Sequence, residues 1–311
     1  MLRLLLSPAA LRQAADAVRR GPYVEGAATP RPWLGLLAFV ALGGAFLIAF
    51  MIAAGAFIGL ASGSGVELFN PAMMEGNAGR YPLTDESSFV IALAVMLMLM
   101  TLCLLAAAII VYRRPGRAFL WPDQSGGWRQ LGVGFVALMA ILFVQWPLFA
   151  LLEGGGVSPI LDPGEPLRLR LLYAAAAAVG LFFAAAAEEI IFRGVLLRIL
   201  GGLTRRVWLV LLLNGALFSL IHLDPDPVAF IARMLSGMVW AWAALRLGSI
   251  AFGIGAHWAN NLFIAWFLEP FSAAAQTGRA MPPAYLAAEL VAMLVMLIAI
   301  ELLARGRPAP R

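Results

Sequence analysis

The chain has no lysine. All 22 basic side chains of its 311 residues are arginine, which excludes a P-loop lysine, a Schiff-base lysine and a serine–lysine dyad together. Cysteine is almost missing too: the lone Cys103 lies inside an apolar run and permits neither an intrachain disulfide nor a cysteine-based metal site. Charge of both signs is scarce, at 13% against roughly a quarter in a soluble domain, while 62% of residues are hydrophobic. A soluble globule, a disordered chain and a collagen-like chain are excluded by that balance, and a lipid bilayer is the solvent that fits it. The net charge of +5 would suit nucleic acid in isolation. The arginines, however, flank apolar runs, where membrane topology accounts for them, and no nucleic-acid partner is expected. Familiar hydrolase signatures are absent as well: there is no His-Glu-x-x-His, no Gly-x-Gly-Asp and no Gly-x-Ser-x-Gly. Ser62-Gly63-Ser64-Gly65 reads as a glycine-rich loop.

A spanning helix needs ~20 apolar residues. Such runs lie at 33–59, 89–112, 131–152, 169–187 (continuing to 200), 207–223, 228–247, 250–268 and 285–304. They predict an all-α polytopic integral membrane protein with about eight transmembrane helices, which places both termini on one side. With the N-terminus inside, the inner segments hold 17 arginines and the outer loops four, Arg80, Arg168, Arg170 and Arg279, with Arg233 inside a span. The positive-inside rule then makes both termini cytoplasmic. Residues 1–32 do not read as a cleavable signal, because Arg12, Arg19 and Arg20 precede the first long run and no small-residue cleavage site follows a short apolar core. Their 7–20 stretch reads as an amphipathic segment at the headgroups. Residues 62–87, with Glu67, Glu75, Asp85 and Glu86, read as a solvated outer loop. No internal repeat is apparent, which weighs against an inverted-repeat transporter.

Ionisable groups at membrane depth are costly and mark functional sites by default. The strongest candidates are the adjacent carboxylates of Glu188-Glu189-Ile190-Ile191-Phe192-Arg193. Glu189 and Arg193 share a helix face, with the acid four positions before the base, the favourable order for an intrahelical pair. Glu188 is rotated off that face and has no sequence-local partner, so it can point into a cavity. The only two histidines also lie in apolar runs. His222 ends Phe218-Ser219-Leu220-Ile221-His222, with Asn214 eight positions earlier, and His257 is one turn before Asn261. Either histidine alone would suit a hydrogen-bonded core position. Together with a carboxylate and an i,i+4 amide they exceed what polar packing between helices requires.

Two uses of these atoms are open. Glu188 with His222 can deprotonate a water while His257 and Asn261 donate to the oxyanion of a tetrahedral intermediate, which is amide hydrolysis within the bilayer. Alternatively, Glu188, His222 and His257 match a catalytic site for a divalent metal such as zinc, with an open position for water. The Asp224-Pro225-Asp226-Pro227 loop reads as a helix breaker, with Arg233 able to pair with it or with headgroups.

Glu188-Glu189-x-x-x-Arg193, Phe218-x-x-x-His222 and His257-x-x-x-Asn261 resemble, in order and on separate apolar segments, the motifs of the CPBP family, also called the CAAX prenyl protease 2 or Abi family of intramembrane proteases. The resemblance covers about residues 167–268. It implies a membrane endopeptidase acting on a peptide or protein, with Glu188 and His222 activating water and His257 and Asn261 holding the oxyanion. Glu189, Arg193 and Phe218 would then support the site. The organisation it implies is an interfacial segment at 1–32, accessory helices at 33–166, a catalytic core at 167–268, and a last helix with a basic tail at 269–311. The expected location is a bacterial inner membrane, and prenylated substrates are not carried over. The rival readings are a transporter or proton-coupled channel that uses the same ionisable residues, and a non-catalytic membrane scaffold.

Overall fold

The computed structural model describes residues 12, 15–16, 27, 29–63, 81–120, 127–152, 158–275, 278 and 280–305. The expected surface segment at 7–20, apart from residues 12, 15 and 16, lies outside the described residues. So do positions 64–80 of the expected outer loop and 306–311 of the tail. The described residues contain helices and no strand. In chain order they are α1 (Pro32–Gly63), α2 (Leu83–Tyr112), α3 (Arg117–Leu120), α4 (Gly127–Leu152), α5 (Leu167–Glu189), a π-helical segment Ile190–Leu196, and α6 (Leu197–Leu203). Then follow α7 (Val207–Leu220), α8 (Pro227–Leu247), α9 (Ala251–Phe263), a second π-helical segment Ile264–Leu268, α10 (Phe271–Ala274) and α11 (Pro283–Arg305).

Six helical stretches among the described residues are long and apolar enough to cross a membrane: Pro32–Ala61, Leu83–Tyr112, Gly127–Leu152, Leu167–Leu203, Pro227–Leu247 and Pro283–Arg305. The all-α polytopic expectation holds. Of the other two expected spans, the first is shorter than its apolar run. α7 has 14 residues, about 21 Å against a hydrocarbon core of about 30 Å. It stops because the proline-punctuated 224–227 stretch cannot continue a helix. α9 has 13 residues and continues as the second π-helical segment. With that continuation the helical stretch covers 251–268, close to the expected 250–268, and α9 packs against α4, α5 and α8 and is buried almost throughout.

The helix boundaries follow local chemistry. α2 begins directly after Pro82 and ends at Arg113, which takes a left-handed conformation. The Asp226 side chain caps α8 through the Ala229 N–H, Pro227 opens the helix, and Gly248 at φ +64° closes it. The early start of α2 corrects the reading of Glu86 as part of a solvated loop. Glu86 is buried in the first turn, where its carboxylate accepts the Ser272 hydroxyl at 2.5 Å and the Ser272 N–H at 3.2 Å, tying α10 to α2. The apolar run starts three residues after Glu86, so hydropathy alone misplaces it.

α4 and α9 form the tightest backbone contact. A Cβ on Gly255 would overlap the Leu131 carbonyl, and one on Gly134 would overlap the Phe252 carbonyl; small residues at such positions let membrane helices approach closely. α8 and α11 are clamped at two levels. Ser236 meets Glu289 at 2.6 Å, and farther along both Trp242 and Arg246 donate to Glu301, so acids at membrane depth are paired within the protein. Overpacking at the α4–α9 contact predicts that Gly255→Ala is destabilised by about 1–3 kcal/mol or more. It should unfold at lower temperature in detergent, while Gly59→Ala, with open space around the position on α1, keeps the parent midpoint.

Candidate active site

The stretch Leu167–Leu203 is one continuous 37-residue helix, and the candidate residues sit where its winding changes. Glu188 and Glu189 end α5, and the π-helical segment starts at the next residue. A π insertion leaves carbonyls with altered partners and is frequent at functional sites. Here the Phe192 carbonyl accepts both the Leu197 N–H and, from α7, the Asn214 amide at 2.8 Å. The Ala187 carbonyl, just before the two acids, accepts the Thr101 hydroxyl of α2 at 3.1 Å. Side chains of two neighbouring helices therefore fix the backbone on either side of the glutamates.

Glu189 and Arg193 pair as the spacing predicts, with Arg193 Nη1 donating to Glu189 Oε1 at 2.9 Å and both residues at 0% exposure. The same carboxylate oxygen lies 3.2 Å from His257 Nδ1. Arg193 also donates from Nη2 to the Gly237 carbonyl at 3.2 Å, and its guanidinium lies 4.3 Å from the centroid of the Phe218 ring. Space for the Glu189 carboxylate depends on Gly253, where a Cβ would come within 2.6 Å of Oε2.

Glu188 is placed differently. Its Oε2 is buried and has no hydrogen-bond partner among the described residues, and it lies 4.0 Å from His257 Nε2. His257 stacks on Trp240 at 4.7 Å. Because Glu189 accepts at Nδ1, that nitrogen carries the proton, so Nε2 faces Glu188. His222 follows α7, and its Nδ1 donates to the Phe218 carbonyl at 2.9 Å, which leaves Nε2 as an acceptor when the ring is neutral. The Phe218 ring stands edge-on to both imidazoles, 5.2 Å from His222 and 5.7 Å from His257. His222 is within electrostatic reach of Glu188 and His257. Glu188, Glu189, Arg193, Phe218, His222 and His257 are thus gathered in one place. Asn261 sits one turn beyond His257, where its Oδ1 accepts from Asn260 Nδ2 at 3.2 Å and its own Nδ2 is the donor end.

Sequence reasoning did not single out Trp240, Gly237 or Gly253. The signal available for the last was the Gly253-x-Gly255 pair inside an apolar helix. Asp224 of the proline-punctuated loop accepts Arg233 at 2.8 Å. Burial pushes its carboxyl up, but the Arg233 guanidinium and two backbone N–H groups outweigh that and hold it below the usual range. Among the described residues no group of three His, Cys, Asp or Glu side chains is placed to hold a metal ion.

Residues 170–263 match the family model described as Type II CAAX prenyl endopeptidase Rce1-like. Over that stretch the chain is similar to the Rce1-like family. All seven motif positions, from Glu188 to Asn261, fall inside the matched Rce1-like stretch. The uncharacterized protein YyaK of Bacillus subtilis (strain 168) is 29% identical over 165 residues, 51% of this chain and 54% of the relative. The chain therefore spans about half the length of the curated relative it matches. No solved structure gives a significant match.

The buried Glu189–Arg193 pair sets an expectation for its removal. Arg193→Met strands the Glu189 carboxylate and should cost about 3–5 kcal/mol, whereas the double change Glu189→Gln/Arg193→Met should recover part of that loss. Chemical denaturation of both variants in detergent checks this.

Proposed function

We propose that the chain is a membrane endopeptidase of the CAAX-protease type, hydrolysing a peptide bond of a peptide or protein substrate within the bilayer. The observation that carries the reading is the contrast between two adjacent acids. Glu189 is held through Oε1 by Arg193 and His257, while Glu188 has only the longer 4.0 Å approach to His257 Nε2; Oε2 of each acid is buried without a hydrogen-bond partner among the described residues. A buried carboxylate oxygen in that state is a seat for a water molecule. The match of the surrounding stretch to the Rce1-like family supports the same chemistry.

In the proposed reaction, Glu188 and the bare Nε2 of His222 orient a water and take one of its protons as its oxygen bonds to the scissile carbonyl carbon. The carbonyl oxygen becomes an oxyanion, which accepts from Asn261 Nδ2 and from the His257 imidazole, whose Nδ1 stays on Glu189. Collapse breaks the carbon–nitrogen bond, and the proton taken from water passes to the leaving amine, giving an amine and a carboxylic acid that then loses its remaining proton to solvent. Arg193 and Glu189 keep His257 in place, and Phe218 fixes the spacing of the two imidazoles. The arginine distribution supports cytoplasmic N- and C-termini in a bacterial inner membrane.

Glu188→Gln and His222→Ala are expected to abolish turnover, and His257→Ala and Asn261→Ala to lower it by about 100-fold or more, as for lost oxyanion donors. The check is cleavage of a mixed peptide and protein library by the purified, lipid-reconstituted chain, read by mass spectrometry. Full activity in His222→Ala would sink the assignment.

A further inference from the structure

The turn after α7 departs from a helical ending in a way that determines what His222 can do. An α-helical last turn gives the Phe218 carbonyl to the His222 backbone N–H. Here the turn tightens instead: the His222 N–H donates to Ser219 at 3.2 Å and the Leu223 N–H to Leu220 at 3.1 Å, the i→i+3 pattern of a 3₁₀ turn. The Phe218 carbonyl accepts the imidazole from Nδ1 at 2.9 Å. The chain then leaves through Leu223 at φ +52°, with the side chain 83% exposed. That left-handed position at a helix end is ordinarily glycine's, because a Cβ crowds the following carbonyl.

A leucine persists there only if its surroundings over-determine the backbone, and Asp224 supplies them. Its Oδ1 accepts the N–H groups of Asp226 and Gly278, each at 3.1 Å, and its Oδ2 accepts Arg233 Nη1 at 2.8 Å. Three donors from the turn, from the 278–281 connection and from α8 thus converge on one carboxylate. Asp226 is bound separately, capping α8 through Ala229 at 2.8 Å and accepting the Met281 N–H at 3.3 Å. The bonds of Asp224 hold the chain reversal; those of Asp226 hold the start of the next helix.

We propose that Asp224 is the positioning residue for His222: by locking the reversal after α7 it keeps the Phe218 carbonyl on the imidazole Nδ1–H and so presents Nε2 bare to the site. Without that lock the last turn relaxes to α-helix, the backbone N–H reclaims the carbonyl and the ring loses its fixed tautomer. The functional half of this inference rests on the reading of His222 as the group that takes the water proton.

The test uses the fact that the chain has two histidines. ¹⁵N-histidine labelling of the full chain in lipid nanodiscs gives two imidazole spin systems, assigned with His257→Gln and recorded at pH 8 without substrate. The parent is expected to show a single Nδ1–H tautomer for His222. Asp224→Ala should show a mixture of tautomers, with kcat on a cleaved peptide reduced about 10- to 100-fold at little-changed KM, as for a misaligned catalytic group. Asp224→Asn keeps an oxygen for the two backbone donors but loses its charge toward Arg233, and should give an intermediate spectrum even if the alanine variant does not fold. Asp226→Ala should lower thermal stability and leave the His222 signal unchanged. An unchanged His222 tautomer in both Asp224 variants, or an equal disturbance in Asp226→Ala, overturns the proposal. Because the spectrum needs no substrate, a parent chain that cleaves nothing while Asp224→Ala still mixes the tautomers would fail the endopeptidase reading alone.

Discussion

Inside the bilayer a carboxylate at zero exposure cannot borrow hydrogen bonds from solvent, and Glu189 draws its partners from two places. Arg193 reaches it from the next turn of the same helix, and His257 reaches it from α9. This junction joins the long fourth expected span to the core helix, and the rest of the site is arranged around it. Arg193 extends the junction to the Gly237 carbonyl of α8 and to the Phe218 ring of α7. Four helical segments therefore take their relative placement from a single charge pair. Such a pair is costly to bury and more costly to break, which makes it a registration device more than a source of stability.

The neighbouring acid depends on that arrangement by contrast. With Glu189 fixed, Glu188 is held one residue away on a different face, 4.0 Å from the far nitrogen of the same imidazole. The two carboxylates thus divide the ring, one at Nδ1 and one toward Nε2. Trp240 lies flat against it, so the imidazole plane is set by packing while its protons are set by the acids. On the other side of Phe218, His222 has its own Nδ1 committed to a backbone carbonyl. Nδ1 of each imidazole is thus committed to a protein acceptor.

What could be read in the sequence was what helical spacing carries. The Glu189–Arg193 pair is i,i+4 and was legible because one turn of helix defines it; Phe218 and His222 have the same spacing, but their bond runs from the imidazole to the Phe218 carbonyl across a tightened turn. The isolation of Glu188 followed from the same geometry. Contacts between residues far apart in sequence were not legible: the bond from His257 to Glu189, the Trp240 stack and the clearance at Gly253 depend on which helices meet and at what height. Helix ends were read poorly wherever hydropathy and backbone chemistry disagree. Glu86 looked solvated because it precedes the apolar run, yet Pro82 starts the helix before it. The 207–223 run looked long enough to span, yet α7 ends at Leu220, before the 224–227 loop.

The π-helical segment also works as a phase adjuster in the middle of a 37-residue rod. An α-helix turns about 100° per residue, so one added or removed position between Ile190 and Leu196 would rotate everything before it relative to everything after it by more than a quarter turn. The half that meets α2 along Val90 and Gly180 and the π-helical segment itself, which meets α3 at Gly194, are held by different neighbours and could not both follow. Chain length in this short stretch is therefore constrained more tightly than residue identity. A single deletion that conserved every motif residue would still aim the two glutamates at the wrong helix.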